Sequence, residues 1–311
     1  MTILGLLSAV IALAWLRMLV GGGAVSPQAE EAIRHLRFER IQVAMIVGGS
    51  LGLAGVLLQS LLRNPLASPD LMGLSAGAGF AVTLRTWQLG VTLGAGAAAG
   101  PALGGAALVL LLIWVLSQRR GQIDPITMIL IGVIVSVILG AATMLVASMM
   151  PDRGFSISRW MMGTLREDLS GQTRLGAAIV LGLVLILSYS LWRSFDAMSL
   201  SDDEARSIGV RIGLIRSVQF GASGILTAIS IVLAGPIGFV GLVCPHLVRL
   251  LAGPSHRALI PSSMLAGMAL LLASDTLVRL ISTDAGRVPI GVLTALIGGP
   301  IFLVLLIRMR R

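Results

Sequence analysis

Apolar runs dominate this chain, and the polar passages between them are short. Ten runs approach the length of about 20 mostly apolar residues that a spanning helix needs. They cover 2–20, 41–62, 71–89, 91–116, 126–150, 175–192, 217–233, 239–252, 259–281 and 290–307. The stretch from Leu57 to Gly79 shows the pattern: apolar, then Arg63-Asn64-Pro65, then Ser68-Pro69-Asp70, then apolar and glycine-rich again. Proline removes a backbone donor and turns the preceding residue away from helix. This passage therefore reads as a hairpin between spans two and three, with Arg63 placed to snorkel toward headgroups. The eighth run is short. The Gly/Pro-rich passage before it, 234–241, reads as a broken or re-entrant segment, which membranes tolerate only inside protein or along a cavity. The expected fold is all-α: an integral membrane protein of about ten transmembrane helices, forming one unit over 1–311.

Composition decides between this reading and a soluble core with tight turns. Apolar residues make up 56% of the 311 residues and charged residues only 12%, against about 25% charged in soluble domains. So little charge cannot cover a globular surface in water. The first apolar run lacks a basic flank and is followed by more spans, so it reads as the first transmembrane helix rather than a leader.

Glycines, 38 in all, lie mostly within the spans, as in Gly48-Gly49-x-x-Gly52-x-x-Gly55 and Gly73-x-x-x-Gly77. Small residues three or four apart let helix backbones approach closely. A pathway for a substrate needs the same small faces, so this pattern does not choose between packing and transport.

The net charge is +9, and every basic side chain is arginine. The arginines are scattered singly, without a stripe that fits nucleic acid. Without lysine there is no Walker A loop, so an ATP-driven function needs a separate ATPase. A single cysteine, Cys244, rules out an intrachain disulfide. No Ser/His/Asp or Cys/His arrangement suggests catalysis, and no cofactor is expected. Arg308, Arg310 and Arg311 favour a cytoplasmic C-terminus, and ten spans then return the N-terminus to the same side.

Three polar groups stand out. In 193–212, Ser201 followed by Asp202, Asp203 and Glu204 is a helix start, a cap with acids at the positive end of the macrodipole. Gly209 is its stop. A short amphipathic helix on the cytoplasmic face follows, either a solvated loop helix or a docking surface for a cytosolic protein. On the other side, Arg34, Arg37 and Arg40 precede span two; Arg37 and Arg40 are one turn apart, as headgroup anchors or as a patch for an acidic partner. Asp275 and Arg279 are four apart near the end of span nine, a spacing at which side chains meet; they read either as functional ionisable residues or as a pair that neutralises itself. His246 reads as a satisfied structural histidine rather than a metal or haem ligand.

These residues fall into a familiar order. Gln59-x-x-x-Arg63-Asn-Pro-Leu-Ala-Ser-Pro-Asp-x-x-Gly73 resembles the signature of the FecCD/BtuC-type permeases, the membrane subunits of bacterial ABC importers for iron-siderophores, haem and cobalamin. Trp160-Met-Met-Gly163-Thr-Leu165, Leu200 to Val210, Ala234-Gly-Pro-Ile-Gly-Phe-Val-Gly-Leu-Val-Cys-Pro-His-Leu-Val-Arg249 and Pro289 to Pro300 resemble further motifs in the family's order. The resemblance covers nearly the whole chain.

The resemblance implies a type II importer permease. It pairs with a second permease subunit, identical or paralogous, around a central pathway in the bacterial inner membrane. Two cytosolic ATPase subunits dock below and a periplasmic binding protein docks above. It places ATPase coupling on 199–212, with Asp202, Asp203, Glu204, Ala205 and Gly209. Docking of the binding protein falls on Arg37, Arg40 and Arg279. A cytoplasmic turn and gate region falls on Arg63, Asn64 and Pro65 and on Asp124, Pro125 and Thr127. Two positions depart from the family pattern: Glu39 stands where proline is usual, beside the docking arginines, and Arg287 where an acid is usual. An iron-siderophore is the first expectation for substrate, before haem and cobalamin. The rival readings are a secondary transporter or channel working alone, and a structural or insertion-assisting membrane protein. The poverty of acids at span centres counts against ion coupling.

Overall fold

The computed structural model describes residues 2–20, 27–119, 121–166, 169–281 and 288–309. The helices are α1 (Thr2–Leu19), α2 (Pro27–Leu61), α3 (Leu74–Leu89), α4 (Ala95–Leu116), α5 (Pro125–Ser148), α6 (Pro151–Met161) and α7 (Gly171–Ser190). They continue with α8 (Trp192–Ala197), α9 (Asp202–Ser207), α10 (Ile212–Ala234), α11 (Val240–Ala252), α12 (His256–Ile281) and α13 (Ile290–Met309). A 3-10 turn, Pro69–Met72, precedes α3. A two-stranded antiparallel hairpin, β1 (Gln118–Arg119) with β2 (Gln122–Ile123), joins α4 to α5 in the register Gln118↔Ile123. Among the described residues, seven helices, α1, α2, α4, α5, α7, α10 and α12, are long and apolar enough to cross a membrane. The other three apolar runs are α3, α11 and α13.

Helix α2 is the centre of the bundle. Its apolar window is 89% buried inside the protein, whereas those of α1 and α5 are 11% buried and turn their apolar faces outward, as lipid-facing helices do. Small residues bring α2 against α12. A methyl added at Gly48 would lie 2.3 Å from the Gly267 carbonyl oxygen, and one at Gly52 would lie 2.2 Å from that of Ser263. These glycines serve packing, and the contact is backbone on backbone.

Helix α2 also starts far earlier than its apolar run. Residues 27–40 are polar yet helical, because their charges find partners: Glu30 with Arg34 one turn on, Glu39 with Arg174 of α7, and Arg40 with Asp275 of α12. Hydropathy marks where a helix leaves lipid, not where it ends. The amphipathic helix α6 escapes the apolar pattern for the same reason.

The passage after α2 is a surface turn only at first. Arg63 and Asn64 close it, and the chain then runs back into the bundle. The Pro69 ring packs on Gly241 of α11, where a methyl would lie 2.7 Å from Pro69 Cδ and 2.9 Å from the Leu51 carbonyl oxygen, mid-way along α2. The 3-10 turn is thus an inward loop, and α3 begins at Leu74 rather than at Leu71. The break before the eighth span is present as well. Helix α10 ends at Ala234, whose carbonyl accepts from Thr164 N–H at 2.7 Å. Helix α11 starts only at Val240, after Phe239 in the left-handed region (φ 68°). At 13 residues it spans about 20 Å. The unwound stretch between them is enclosed by protein: the Pro236 carbonyl lies against both Gly163 and Gly291.

Candidate functional site: two acid–arginine clusters at opposite ends

At one end of the bundle the 199–212 connection forms the expected short helix. Ser201 caps α9 by accepting from Glu204 N–H at 3.3 Å, and Glu204 Oε2 accepts from Ser201 N–H at 2.9 Å and from its hydroxyl at 2.6 Å. This is a closed capping box. The Ser201 side chain, then its backbone N–H, hold the Glu204 carboxyl below the ordinary glutamate range. The stop is a Schellman motif: Val210 N–H bonds the Ala205 carbonyl at 3.0 Å and Gly209 N–H bonds that of Arg206 at 2.9 Å, with Gly209 at φ 87°. Nothing lies within 4 Å of a methyl built on Gly209. Glycine is needed here for backbone sign, not for close approach. Ala205 is buried beneath the helix, while Asp203 points to solvent with only Arg206, at 3.7 Å, near it.

Asp202 reaches back into the bundle. Arg63 donates to its Oδ1 at 2.7 Å and, through Nε, to the Met198 carbonyl at 2.6 Å. Arg216, on the second turn of α10, donates from one nitrogen to both Asp202 oxygens at 2.9 and 3.1 Å, and from its other terminal nitrogen to the Ile123 carbonyl of β2 at 3.4 Å. So Arg63 does not snorkel outward; it ties the turn after α2 to α9. That turn is itself a Schellman motif, with Arg63 N–H to Ser60 and Asn64 N–H to Gln59. Arg63 holds the left-handed position (φ 47°) where glycine is usual. A side chain there is disfavoured by roughly 1–2 kcal/mol, and its guanidinium bonds offset that strain.

The second stretch expected at a gate, Asp124 to Thr127, adjoins this cluster. Asp124 caps α5, accepting from Thr127 N–H at 2.9 Å and from the Thr127 hydroxyl, with Pro125 at the first helical position. The Thr127 side chain, then its backbone N–H, hold the Asp124 carboxyl low. Arg63, Asn64, Pro65, Asp124, Pro125 and Thr127 therefore share an end with α9. Arg216 is the residue that joins the two halves, and spacing along the chain carries no sign of it. Asp196 is a further link: it accepts from His256 N–H at 2.8 Å and from Ser255 at 3.1 Å, and meets His256 Nδ1 at 2.7 Å, holding the start of α12 to α8.

The opposite end carries a second acid with two arginines. Asp275 is fully buried, and Arg17 of α1 and Arg40 of α2 bond its two oxygens at 2.5 and 2.7 Å. The i,i+4 spacing to Arg279 does not identify these partners, which come from other helices. Arg40 is only 8% exposed. Arg37 is half-buried and donates to the Met18 carbonyl at 2.8 Å, while Arg279 is exposed. Glu39 pairs with Arg174 of α7 and with His35 rather than with Arg37 or Arg40. Arg287, Arg310 and Arg311 lie outside the described residues, as does the side chain of Arg308.

His246 differs from its sequence reading. It is buried in α11, yet neither ring nitrogen has a hydrogen-bond partner among the described residues.

Membrane-crossing helices broken at one point, with a capped helix between two of them, make up a multi-pass membrane protein. A profile of the FecCD transport family matches residues 1–308, and the chain belongs to that family. The cobalamin import system permease BtuC of Halobacterium salinarum is 34% identical over 287 residues, 91% of this chain and 75% of its own. The molybdate import system permease MolB of Haemophilus influenzae is 36% identical over 292 residues, 92% and 84% of the two chains. A solved inward-facing ABC transporter of metal-chelate type superposes with a TM-score of 0.86 at 31% identity, over 98% of both chains.

Proposed function

We propose that this chain is the permease subunit of an inner-membrane ABC importer, with the Arg63 end facing the cytoplasm and both termini on that side. A separate ATPase pair engages α9, and a periplasmic binding protein docks on the Asp275 end. A second permease copy or paralogue completes the pathway. The observation that carries this reading is the Asp202 bridge. A helix with an outward acid, Asp203, is tied by ion pairs to the ends of both α2 and α10, so a push on α9 is transmitted into two spans. The whole chain acts as one permease domain, and Arg63, Asn64, Pro65, Asp124, Pro125 and Thr127 flank the cytoplasmic mouth.

On the docking side, Arg37 and Arg279 meet acids of the binding protein. Arg40, engaged by Asp275, holds the α2 end in place beneath them. Such pairs set register and on-rate more than affinity. The cargo is a metal chelate, an Fe(III)-siderophore before cobalamin or haem, with the oxyanion molybdate as the alternative; the family and the metal-chelate type of the superposed transporter support the chelate class.

The test is reconstitution of the chain in liposomes with its ATPase and binding protein, followed by uptake of candidate chelates. Uptake that needs all components and ATP is expected. Uptake by the permease alone, driven by an ion gradient, would replace this reading with a secondary transporter.

A further inference from the structure

A cavity of about 450 Å³ opens at the Arg63 end, between the turn after α2, the α8 end, the last turns of α11 and the start of α12. Its walls include Gln59, Arg63, His246, Arg249 and His256, with Leu250 at its rim. Three of these side chains are more than nine-tenths buried and carry polar atoms with no partner among the described residues: Gln59 Oε1, both nitrogens of His246, and His256 Nε2. Buried polar groups are normally hydrogen-bonded, and each exception needs an explanation. Three exceptions on residues that line one cavity need a common one.

Charge indicates what fills it. The one acid in the wall, Asp196, is engaged by the His256 ring and backbone and by Ser255. Arg63 is balanced by Asp202. Arg249 forms no side-chain hydrogen bond or ion pair among the described residues and is half-buried. The cavity thus holds one guanidinium without an ion-pair partner among the described residues, beside imidazoles on two separate helices. His246 and Arg249 are three apart on α11 and share a face. Arg249 and His246 present donors from one face of α11, arginine is matched to phosphate, and Gln59 Oε1 and His256 Nε2 are acceptors suited to hydroxyls beside it.

We propose that this cavity binds a phosphate-bearing anion, seated between the α9 connection and the α11–α12 hairpin. The source favoured by the surroundings is an anionic membrane lipid. Leu250 and Leu251, at 64% and 70% exposure, form an apolar flank beside the cavity that suits acyl chains. Basic pockets between helices near the cytoplasmic boundary take lipid headgroups. Bound there, the anion bridges the α2 turn, which holds α9 through Arg63, to α11, the half-length helix beside the inward loop. It would stiffen the path between the coupling helix and the broken span.

The test uses the purified full chain in neutral detergent and needs neither ATPase nor transport, so its failure is separable from failure of the importer reading. Inorganic phosphate is titrated against chloride at matched ionic strength, and phosphatidylglycerol against phosphatidylcholine, reading the unfolding midpoint and lipid retention by native mass spectrometry. Saturable binding of phosphatidylglycerol is expected, weakened roughly tenfold or more in Arg249→Gln and likewise in His246→Gln. Arg257→Gln, an exposed arginine at the same end, should change it less than twofold. Binding of phosphatidylglycerol alone assigns the site to lipid; saturable inorganic phosphate binding with the same variant pattern assigns it to a free anion. No saturable binding of either, or equal loss in Arg249→Gln and Arg257→Gln, overturns the proposal.

Discussion

Each end of the bundle holds one aspartate between two arginines, yet the two clusters sit in opposite environments. Asp275 is 0% exposed and its arginines, Arg17 and Arg40, are 5% and 10% exposed. Asp202 is 33% exposed, with Arg63 at 35% and Arg216 at 11%. Water near Asp202 screens its pairs, so they can break and re-form at little net change in free energy. Asp275 has no such alternative. Two guanidinia in low dielectric require its charge, and losing one partner leaves the others uncompensated. The same three groups therefore make a pin in one place and an adjustable link in the other. The pin fastens α1, which buries little else, to α2 and α12. The link joins α9, whose task in the proposed cycle is to move.

The largest effect is expected at the pin. Asp275→Asn should destabilise the protein by about 3–5 kcal/mol, because two buried arginines lose their counter-charge. Thermal unfolding in detergent and yield of folded protein measure it. Adding Arg40→Gln should recover part of the loss, since one uncompensated charge is removed. If Asp275→Asn is no worse than Asp202→Asn, the distinction between pin and link fails.

Asp202→Asn comes next in consequence though not in stability. A partly exposed pair contributes about 0–1 kcal/mol, so the unfolding midpoint should barely move. In the reconstituted importer, ATP turnover should continue while uptake falls, because α9 has lost its hold on α2 and α10. Raising ionic strength should mimic the variant partially, since the pairs are within reach of salt. Unchanged uptake per ATP would make Asp202 a surface ion pair and nothing more.

Gly209 gives a sharper, smaller test of the link. Its left-handed φ disfavours any side chain, yet a side chain there meets open space. Gly209→Ala and Gly209→Leu should therefore destabilise α9 alike, by about 1 kcal/mol. Size would matter only if an ATPase surface closes over the position. A difference that appears in the assembled complex but not in the free permease would locate that surface.

Local chemistry explains what could be read in advance. The Ser201 cap, the Gly209 stop, the ten apolar runs and the break before α11 are legible because each is set by neighbours along the chain. The pairs are not: Arg63 and Asp202 are 139 residues apart, and Arg40 and Asp275 are 235 apart. No spacing rule reaches across helices, so Arg63 reads as a headgroup anchor, Asp275 as a partner of Arg279, and Arg216 as unremarkable. The early start of α2 is hidden for the same reason, since its polar turns are held by Asp275 and Arg174 from elsewhere. His246 reads as satisfied because buried polar groups normally are; its two ring nitrogens have no partner among the described residues.

The smallest effect is expected at Glu204, and it asks what holds the link's helix together. α9 has only six residues, too short to persist alone. Its stability comes from the capping box, the buried Ala205 and the Asp202 bridges. Hydrogen bonds from Ser201 keep the Glu204 carboxyl below its ordinary pKa, so the folded helix favours the carboxylate. That contribution is full above the ordinary glutamate pKa and fades as pH falls through the lower folded value. Amide exchange at Ser201, whose N–H donates to Glu204, reads it locally. Protection at neutral pH should exceed that near pH 4. Glu204→Ala should abolish it at both, and Glu204→Gln should keep part of it without the pH dependence, because an amide oxygen still accepts. Global unfolding should not change in any of these. If Glu204→Ala leaves Ser201 protected, the cap is dispensable and α9 is held by Asp202 alone. The link would then resemble the pin, and the freedom assigned to α9 would have to come from somewhere else in the 199–212 connection.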